Sequence, residues 1–299
     1  MNCLSLFDGI SVGYESLKRS NLPVTNYFAS EIDEYAMDVA RLNHPDIIQV
    51  GDITEIDTSE LPPIDLLIAG FPCQDLSSLG KGAGLQGTRS GLFFQALRIF
   101  DEVKPQYWIF ENVASMRSAD KAKISELLGV EPIMINSALV SAQTRKRLYW
   151  TNIPGVAQPK DKGIILQDIL IDGYADREKA HALLTNQLPE TEGGLTRYLR
   201  KSTGQLAFRE EYFIELDKPT KIKRYGNLIE LNKAPEPNNF YRNGVFRHIT
   251  VREAEALQTL PPFYCAGISK SQAFKCLGNS FTADVITHIL KHIPHEKAT

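Results

Sequence analysis

The sequence predicts an α/β fold: a mostly parallel, doubly wound sheet with helices on both faces, joined to a smaller second lobe. Three observations carry this. Short apolar runs alternate with helical spacing over the first half of the chain. Several of those runs end in acidic or glycine-containing clusters, as strands do where they feed a ligand site. After Pro154 the alternation stops, and residues 155–246 are polar and irregular with scattered Gly, Pro and Asn.

Taken in order, Cys3–Phe7 reads as a first strand, followed by a glycine-containing turn and an amphipathic stretch around Tyr14–Leu17. Val24–Ser30 is a second strand ending in Glu31-Ile32-Asp33, and Tyr35–Leu42 has helical spacing. Ile47–Val50 is a third strand, ending at Gly51-Asp52. Asp65–Ala69 is a buried fourth strand closed by Gly70-Phe71-Pro72-Cys73. Leu92–Val103 reads as a helix and Tyr107–Phe110 as a fifth strand entering Glu111-Asn112-Val113. Ile133–Val140 and Arg147–Asn152 read as two more strands. Beyond the irregular region come a helix over Val251–Gln258, a Pro-Pro turn, the segment Leu277–Phe281, and a last helix through about Ile293. The expected organisation is a first domain over 1–154, a smaller irregular lobe over 155–246, and a segment over 247–299 that returns to the first domain.

Composition excludes several classes. Hydrophobic residues make up 43% and charged residues 23%, ordinary values for a globular chain and unlike a disordered one. No apolar run approaches the roughly 18 residues of a membrane helix, so no membrane association is expected. The N-terminus enters a strand directly with no basic n-region, which reads as unprocessed and cytoplasmic. Cys3, Cys73, Cys265 and Cys276 are scattered, with no C-x-x-C pair or neighbouring His cluster, so neither structural zinc nor a disulfide framework is expected. The net charge of -3 does not advertise a nucleic-acid partner. Between Arg197 and Arg247, however, 11 Lys/Arg stand against 6 Asp/Glu, a basic excess that suits phosphates.

The candidate ligand site lies at the strand ends. Phe7-Asp8-Gly9-Ile10-Ser11-Val12-Gly13 is a turn in which glycines let the backbone approach a ligand. Glu31 follows at roughly the 20-residue spacing of an acid that takes two ribose hydroxyls. Asp52 ends the third strand, where a carboxylate accepts from an adenine amino group. The turn does not match the dinucleotide fingerprint, and no phosphate-binding G-x-x-x-x-G-K-[ST] loop occurs. An adenosine without a phosphate chain fits best, which favours S-adenosylmethionine.

An isolated cysteine is most often a small buried hydrophobe. Cys73 differs because Glu111-Asn112-Val113 ends the next strand, which places a thiol and a carboxylate around one pocket. Gln143-Thr144-Arg145-Lys146-Arg147 adds guanidinium groups able to orient that carboxylate.

In these segments the chain resembles the cytosine-5 DNA methyltransferases. The matching stretches are FDGISVG (7–13), SEID (30–33), GDI (51–53), GFPCQDLS (70–77), RSGLFF (89–94), FENV (110–113), QTRKR (143–147), RHITVREAEALQTLP (247–261) and GNSF (278–281). They cover all but about 155–246, in the family's order. The style of the FDGI turn and of the VSAQTR and WTNIPG segments is similar to catalytic domains of de novo methyltransferases, here in a stand-alone microbial or phage type. The resemblance implies a Rossmann-like S-adenosylmethionine-dependent methyltransferase fold with duplex DNA as partner. It makes 1–154 the catalytic and cofactor-binding domain and the lobe over 155–246 the target-recognition region.

It implies roles as well. Cys73 is the nucleophile that adds to C6 of a flipped cytosine, with Pro72 before it. Glu111 binds the base, Arg145 orients the base oxygen and Glu111, and Arg147 and Asn112 complete the catalytic set. Phe7, Gly9 and Ile10, then Glu31 and Ile32, then Asp52 and Ile53, and finally Leu92, Asn279 and Ser280 would bind S-adenosylmethionine and its product S-adenosylhomocysteine. Two positions depart from the pattern: Val12 where glycine is frequent, and Ile32 where an aromatic is frequent. The small-residue loop Ser77–Gly84 suits a lid over the flipped base. Ser77, Lys81, Arg89, Arg197, Lys223, Arg224 and Arg242 are candidate DNA contacts, with Arg200, Lys201 and Lys221 beside them.

Three rivals are weighed. A tRNA cytosine-5 methyltransferase of the same family would carry a Cys-Phe-Thr tripeptide, which does not occur. A catalytically silent DNA-binding regulator would not need Cys73, Glu111, Arg145 and the cofactor acids together. A thiol hydrolase needs a histidine base, and none stands at a strand end beside Cys73. The recognised DNA sequence, the oligomeric state and the company of a cognate restriction endonuclease are left open.

Overall fold

Five short parallel strands form the centre of the computed structural model, which describes residues 1–72, 91–185, 204–208 and 246–294. They are β1 (Asn2–Leu6), β2 (Asn26–Ser30), β3 (Ile48–Gln49), β4 (Leu66–Gly70) and β5 (Tyr107–Val113). Two further strands, β6 (Ile133–Asn136) and β8 (Lys146–Thr151), complete a seven-stranded sheet of order β3-β2-β1-β4-β5-β8-β6. Only β8 runs antiparallel, between β5 and β6. The expected mostly parallel sheet is therefore present. Strand order reverses between β1 and β4, the switch point beside which open α/β sheets bind ligands.

The strands lack polar alternation because helices cover both sheet faces. Leu4, Leu66, Leu67, Ala69, Ile109, Phe110 and Trp150 are all wholly buried. The helices are α1 (Val12–Ser20), α2 (Glu34–Asn43), α3 (Leu92–Val103) and α4 (Ser118–Leu128). α3 buries Phe93, Ala96 and Ile99, spaced three apart along one helix face.

The elements depart from expectation at particular places. The strand expected over Ile133–Val140 ends at Asn136, because Ser137–Leu139 form a 3-10 turn closed by Val140 N–H donating to Ser137 O at 2.9 Å. Helix α4 has no counterpart in the sequence reading: its buried positions are Asp120, Ile124, Ser125 and Leu128, so polar residues interrupt the apolar spacing. Leu277–Asn279, read as part of a free segment, form the last turn of a helix over Lys270–Asn279.

The chain divides into two compact units, Met1–Asn136 with Lys146–Pro159 and Phe281–Thr299, and Ser137–Arg145 with Lys160–Ser280. The first holds the sheet. Its described C-terminal helix (Ala283–Leu290) packs on α1, where Ser16 Oγ donates to Ala283 O at 3.0 Å and Arg19 pairs with Asp284 at 3.0 Å.

The described parts of the second unit include the strands β7 (Gln143–Thr144), β9 (Ala180–His181), β10 (Leu206–Phe208) and β11 (Phe246–His248). They also include the helices α5 (Leu166–Ile169), α6 (Val251–Leu257) and α7 (Lys270–Asn279); the C-terminal helix of the first unit is α8. Lys179 stitches three stretches of the second unit by donating to Ala138 O, Ser141 O and Ile164 O at 2.6, 3.1 and 2.5 Å. Among the described residues no helix is long and apolar enough to cross a membrane.

Candidate active site

The sheet's carboxyl edge gathers the candidate groups of the first unit. β1 ends in a turn with Phe7, Gly9 and Ser11 at φ of 57, 60 and 58°. That geometry aims Gly9 N–H at the Glu31 carboxylate, 2.8 Å away. The other Glu31 oxygen accepts from Ile32 N and Asp33 N, both at 2.8 Å. Three backbone donors therefore fix the carboxylate at the end of β2. Asp33 begins α2 by accepting from Tyr35 N, which locks the exit of the same strand. Ile32 is left 69% exposed, an apolar face beside the acid, whereas Ile10 and Ile53 are buried. Asp52 follows β3, and its Oδ1 accepts from Thr54 N and Oγ1 at 2.9 Å each.

A second group sits where β4, β5 and β8 meet. Gly70 pairs with Glu111, Glu111 with Tyr149, and Val113 with Arg147. Side chains two apart on a strand share a face, so Arg147 stands diagonally across from Glu111 on one side of the sheet. Arg147 Nε meets Glu111 Oε1 at 2.9 Å, with both side chains largely buried. The other Glu111 oxygen lies over Gly70, 3.7 Å from where a Cβ would stand. That Cβ would also come within 2.7 Å of the Phe281 ring, so only glycine fits there.

Asn112 points to the opposite side. Its Nδ2 donates to Phe71 O at 3.0 Å and its Oδ1 accepts from Val113 N at 2.8 Å. It thus pins the chain two residues before Cys73, next to half-buried Pro72.

The second unit holds other predicted residues. Arg145, which the resemblance sets beside Glu111, is buried there, with Nη2 donating to Gly278 O at 3.2 Å and Ser280 O at 2.7 Å. Asn279 ends α7 and Ser280 caps it. Arg147, also in the expected catalytic set, is the guanidinium that pairs with Glu111 within the first unit. Leu92 opens α3 and packs partly buried against the core, as does Phe7. Cys73 lies outside the described residues, and so do Ser77, Lys81, Arg89, Arg197, Arg200, Lys201, Lys221, Lys223, Arg224 and Arg242.

The sequence reading missed two features. Phe281 covers Gly70 from 211 positions away, and no local signal announces such a contact. Gly13, read as a ligand-facing glycine, instead makes room for Tyr27: a Cβ there would stand 2.7 Å from the Tyr27 hydroxyl. Only the unusual choice of two glycines four apart hinted at a second role. Among the described residues no group of His, Cys, Asp and Glu could hold a metal ion.

Comparison with known proteins gives a consistent picture. The model of the C-5 cytosine-specific DNA methylase family matches residues 1–295. The type II methyltransferase M1.ScrFI of Lactococcus lactis subsp. cremoris is 29% identical over 313 residues, spanning 95% of this chain and 75% of that protein. The type II methyltransferase M.NlaX of Neisseria lactamica is 29% identical over 301 residues, spanning 95% and 92%. Among solved structures, the S. pombe Dnmt2 methyltransferase superposes with a TM-score of 0.67 at 17% identity, covering 97% of each chain, a likeness of fold.

Proposed function

The chain belongs to the C-5 cytosine-specific DNA methylase family, and from that premise we propose how its residues divide the work of methylating cytosine at C5 in duplex DNA. The observation that carries the assignment is the Glu111–Arg147 pair over Gly70, with Asn112 tethering Phe71 at the entry to Pro72-Cys73.

The cofactor we propose is S-adenosylmethionine, and the cradle fits it. Glu31 is pre-oriented by three N–H groups and retains lone pairs for ribose hydroxyls. Gly9 and Gly51 have open space where a Cβ would stand, and Ile32 offers an exposed apolar face to adenine. Asp52 would accept from the adenine amino group with Ile53 beside it, and Leu92 would line the methionine part. When bound, the cofactor supplies an electrophilic methyl on a sulfonium centre.

The chain's own residues do the rest. The Cys73 thiolate adds to C6 of a cytosine swung out of the helix, and the electron pair of the C5–C6 double bond moves to make C5 nucleophilic. Glu111 holds the base at N3 and the exocyclic amine, and Arg147 fixes the orientation of that carboxyl. After C5 has taken the methyl, a water removes the C5 proton, the double bond re-forms and Cys73 leaves as thiolate. The type II names of the relatives support a place beside a cognate restriction endonuclease.

The test is transfer of label from tritiated S-adenosylmethionine to unmethylated duplex DNA or to tRNA, with wild type beside Cys73→Ser. Label in DNA 5-methylcytosine that disappears in the variant is the expected result. Label in tRNA alone, or undiminished transfer by Cys73→Ser, would overturn the assignment.

A further inference from the structure

Asp8 is a buried carboxyl for which the methyl-transfer chemistry has no use. It lies between Phe7 and Gly9, 5% exposed. One oxygen accepts from Tyr27 Oη at 2.7 Å, and the other accepts from Ser11 Oγ. Its backbone N–H donates to Ser30 O at 3.0 Å, and its carbonyl accepts from Ser11 N at 3.2 Å. One residue therefore ties the end of β1 to β2 and to the start of α1.

The turn needs such an anchor. Phe7 and Ser11 both hold the left-handed conformation, which is strained for a residue with a side chain. Strain of this kind persists only where surrounding contacts over-determine it. Tyr27 reaches Asp8 because position 13 is glycine, so Gly13 belongs to the same device.

We propose that Asp8 is a positioning residue for the cofactor: its carboxylate, gripped by Tyr27 and Ser11, fixes the turn that presents Gly9 N–H to Glu31. This rests on the cofactor site assigned above. The ionised form is the better anchor. A carboxylate accepts from both hydroxyls at once, whereas a protonated carboxyl must donate to one of them and force that hydroxyl to turn its own hydrogen away. Burial pushes the Asp8 carboxyl up to about 6 even though the Ser11, Ser5 and Tyr27 hydroxyls favour its charge and Glu31 opposes it. Protonation therefore falls within reach of a binding assay.

The groups around it are few. β2 and its exit contribute Tyr27 and Glu31, β1 contributes Ser5, and α1 contributes Ser11. Behind Tyr27 stand Cys3 and the stacked ring of Tyr14, both pushed by burial to about 12 and neutral throughout.

Calorimetric titration of the full chain with S-adenosylmethionine at pH 5.5, 6.5 and 7.5 tests this, using wild type, Asp8→Asn and Tyr27→Phe. Melting curves establish that each protein is folded at the assay temperature. Asparagine mimics the protonated acid in shape and charge, and titration of the cofactor itself is common to all proteins. Wild-type Kd is expected to rise about tenfold from pH 7.5 to 5.5, equivalent to one strong hydrogen bond. Asp8→Asn should bind at the weaker level at every pH, and Tyr27→Phe should weaken binding at pH 7.5. In turnover assays the loss should fall on the KM for the cofactor rather than on kcat. Wild-type affinity in Asp8→Asn at pH 7.5, or a pH curve parallel to wild type, would overturn the proposal. Wild type that binds no cofactor at any pH would overturn the cofactor assignment and this inference with it.

Discussion

At the scale of single residues, the two buried acid–guanidinium pairs have different duties. Arg147 Nε meets Glu111 Oε1 at 2.9 Å, and the second carboxyl oxygen lies over Gly70. Arg147→Lys keeps the charge and loses the planar fork, so Glu111 would swing within its site. We expect kcat on duplex DNA to fall about 10²-fold, the usual effect of misplacing a reacting group. Glu111→Gln should cost about 10²- to 10⁴-fold, and the double variant little more than the worse single, because the two act as a unit. Steady-state kinetics on proteins with unchanged melting temperature would check this; additive losses would show that the pair is not one device.

Glu253 is wholly buried and is held instead by Arg247, with Thr250 N and Ile171 N at 2.7 and 2.8 Å. Burial opposes its charge, but these donors outweigh burial and leave its pKa below 4.5. A depressed carboxylate contributes stability that is full above its unfolded value and lost as pH falls through the folded one. Asp8 has the opposite sign: its contribution is full below 3.8 and lost as pH rises through about 6. Arg247→Met should therefore cost about 3 kcal/mol at pH 7, where Glu253 is left charged and buried, and clearly less near pH 4. The cost lies at the low end for a broken buried pair because the Arg247 side chain is 25% exposed. Urea unfolding at the two pH values measures it.

At the scale of elements, the end of β4 depends on a residue from the far end of the chain. A Cβ at Gly70 would stand 2.7 Å from Cε1 and Cζ of Phe281, a ring only 8% exposed. Gly70→Ala should destabilise by about 1–3 kcal/mol, as overpacking does. Adding Phe281→Leu should recover part of that loss, a coupling that a double-mutant cycle reads directly. If the two substitutions prove additive, the contact does not constrain β4. The strands were legible in the sequence because both sheet faces are covered, which turns each strand into a short apolar run such as Leu66–Ile68. Helix α4 was not, because Asp120 and Ser125 share its buried face and erase the apolar spacing. The strand-end positions of Glu31, Asp52 and Glu111 were legible because each follows or closes a short apolar run; the Asp8–Tyr27–Gly13 contact was not, since its parts come together only through the β1–β2 pairing.

At the scale of the whole molecule, the first unit is assembled from three stretches of chain and the second from two. The first unit's described C-terminal helix α8 lies on α1 and buries Val285, Ile286, Ile289 and Leu290 completely. Burial of four such side chains is worth on the order of 6–12 kcal/mol, comparable with the roughly 5–15 kcal/mol that holds a typical domain folded. The hydrogen bond from Ser16 Oγ to Ala283 O and the Arg19–Asp284 pair add direction to the contact. A chain stopped after Ser280 should lose cooperative unfolding and expose the buried face of α1, where Val12, Leu17 and Ser16 are sheltered. Supplying residues 281–299 as a separate peptide should restore a sigmoidal melt, because the missing piece is a contiguous helix with its own Asp284 near the N-terminus. A truncated chain that melts like the full protein would show that α8 decorates the sheet unit rather than completing it.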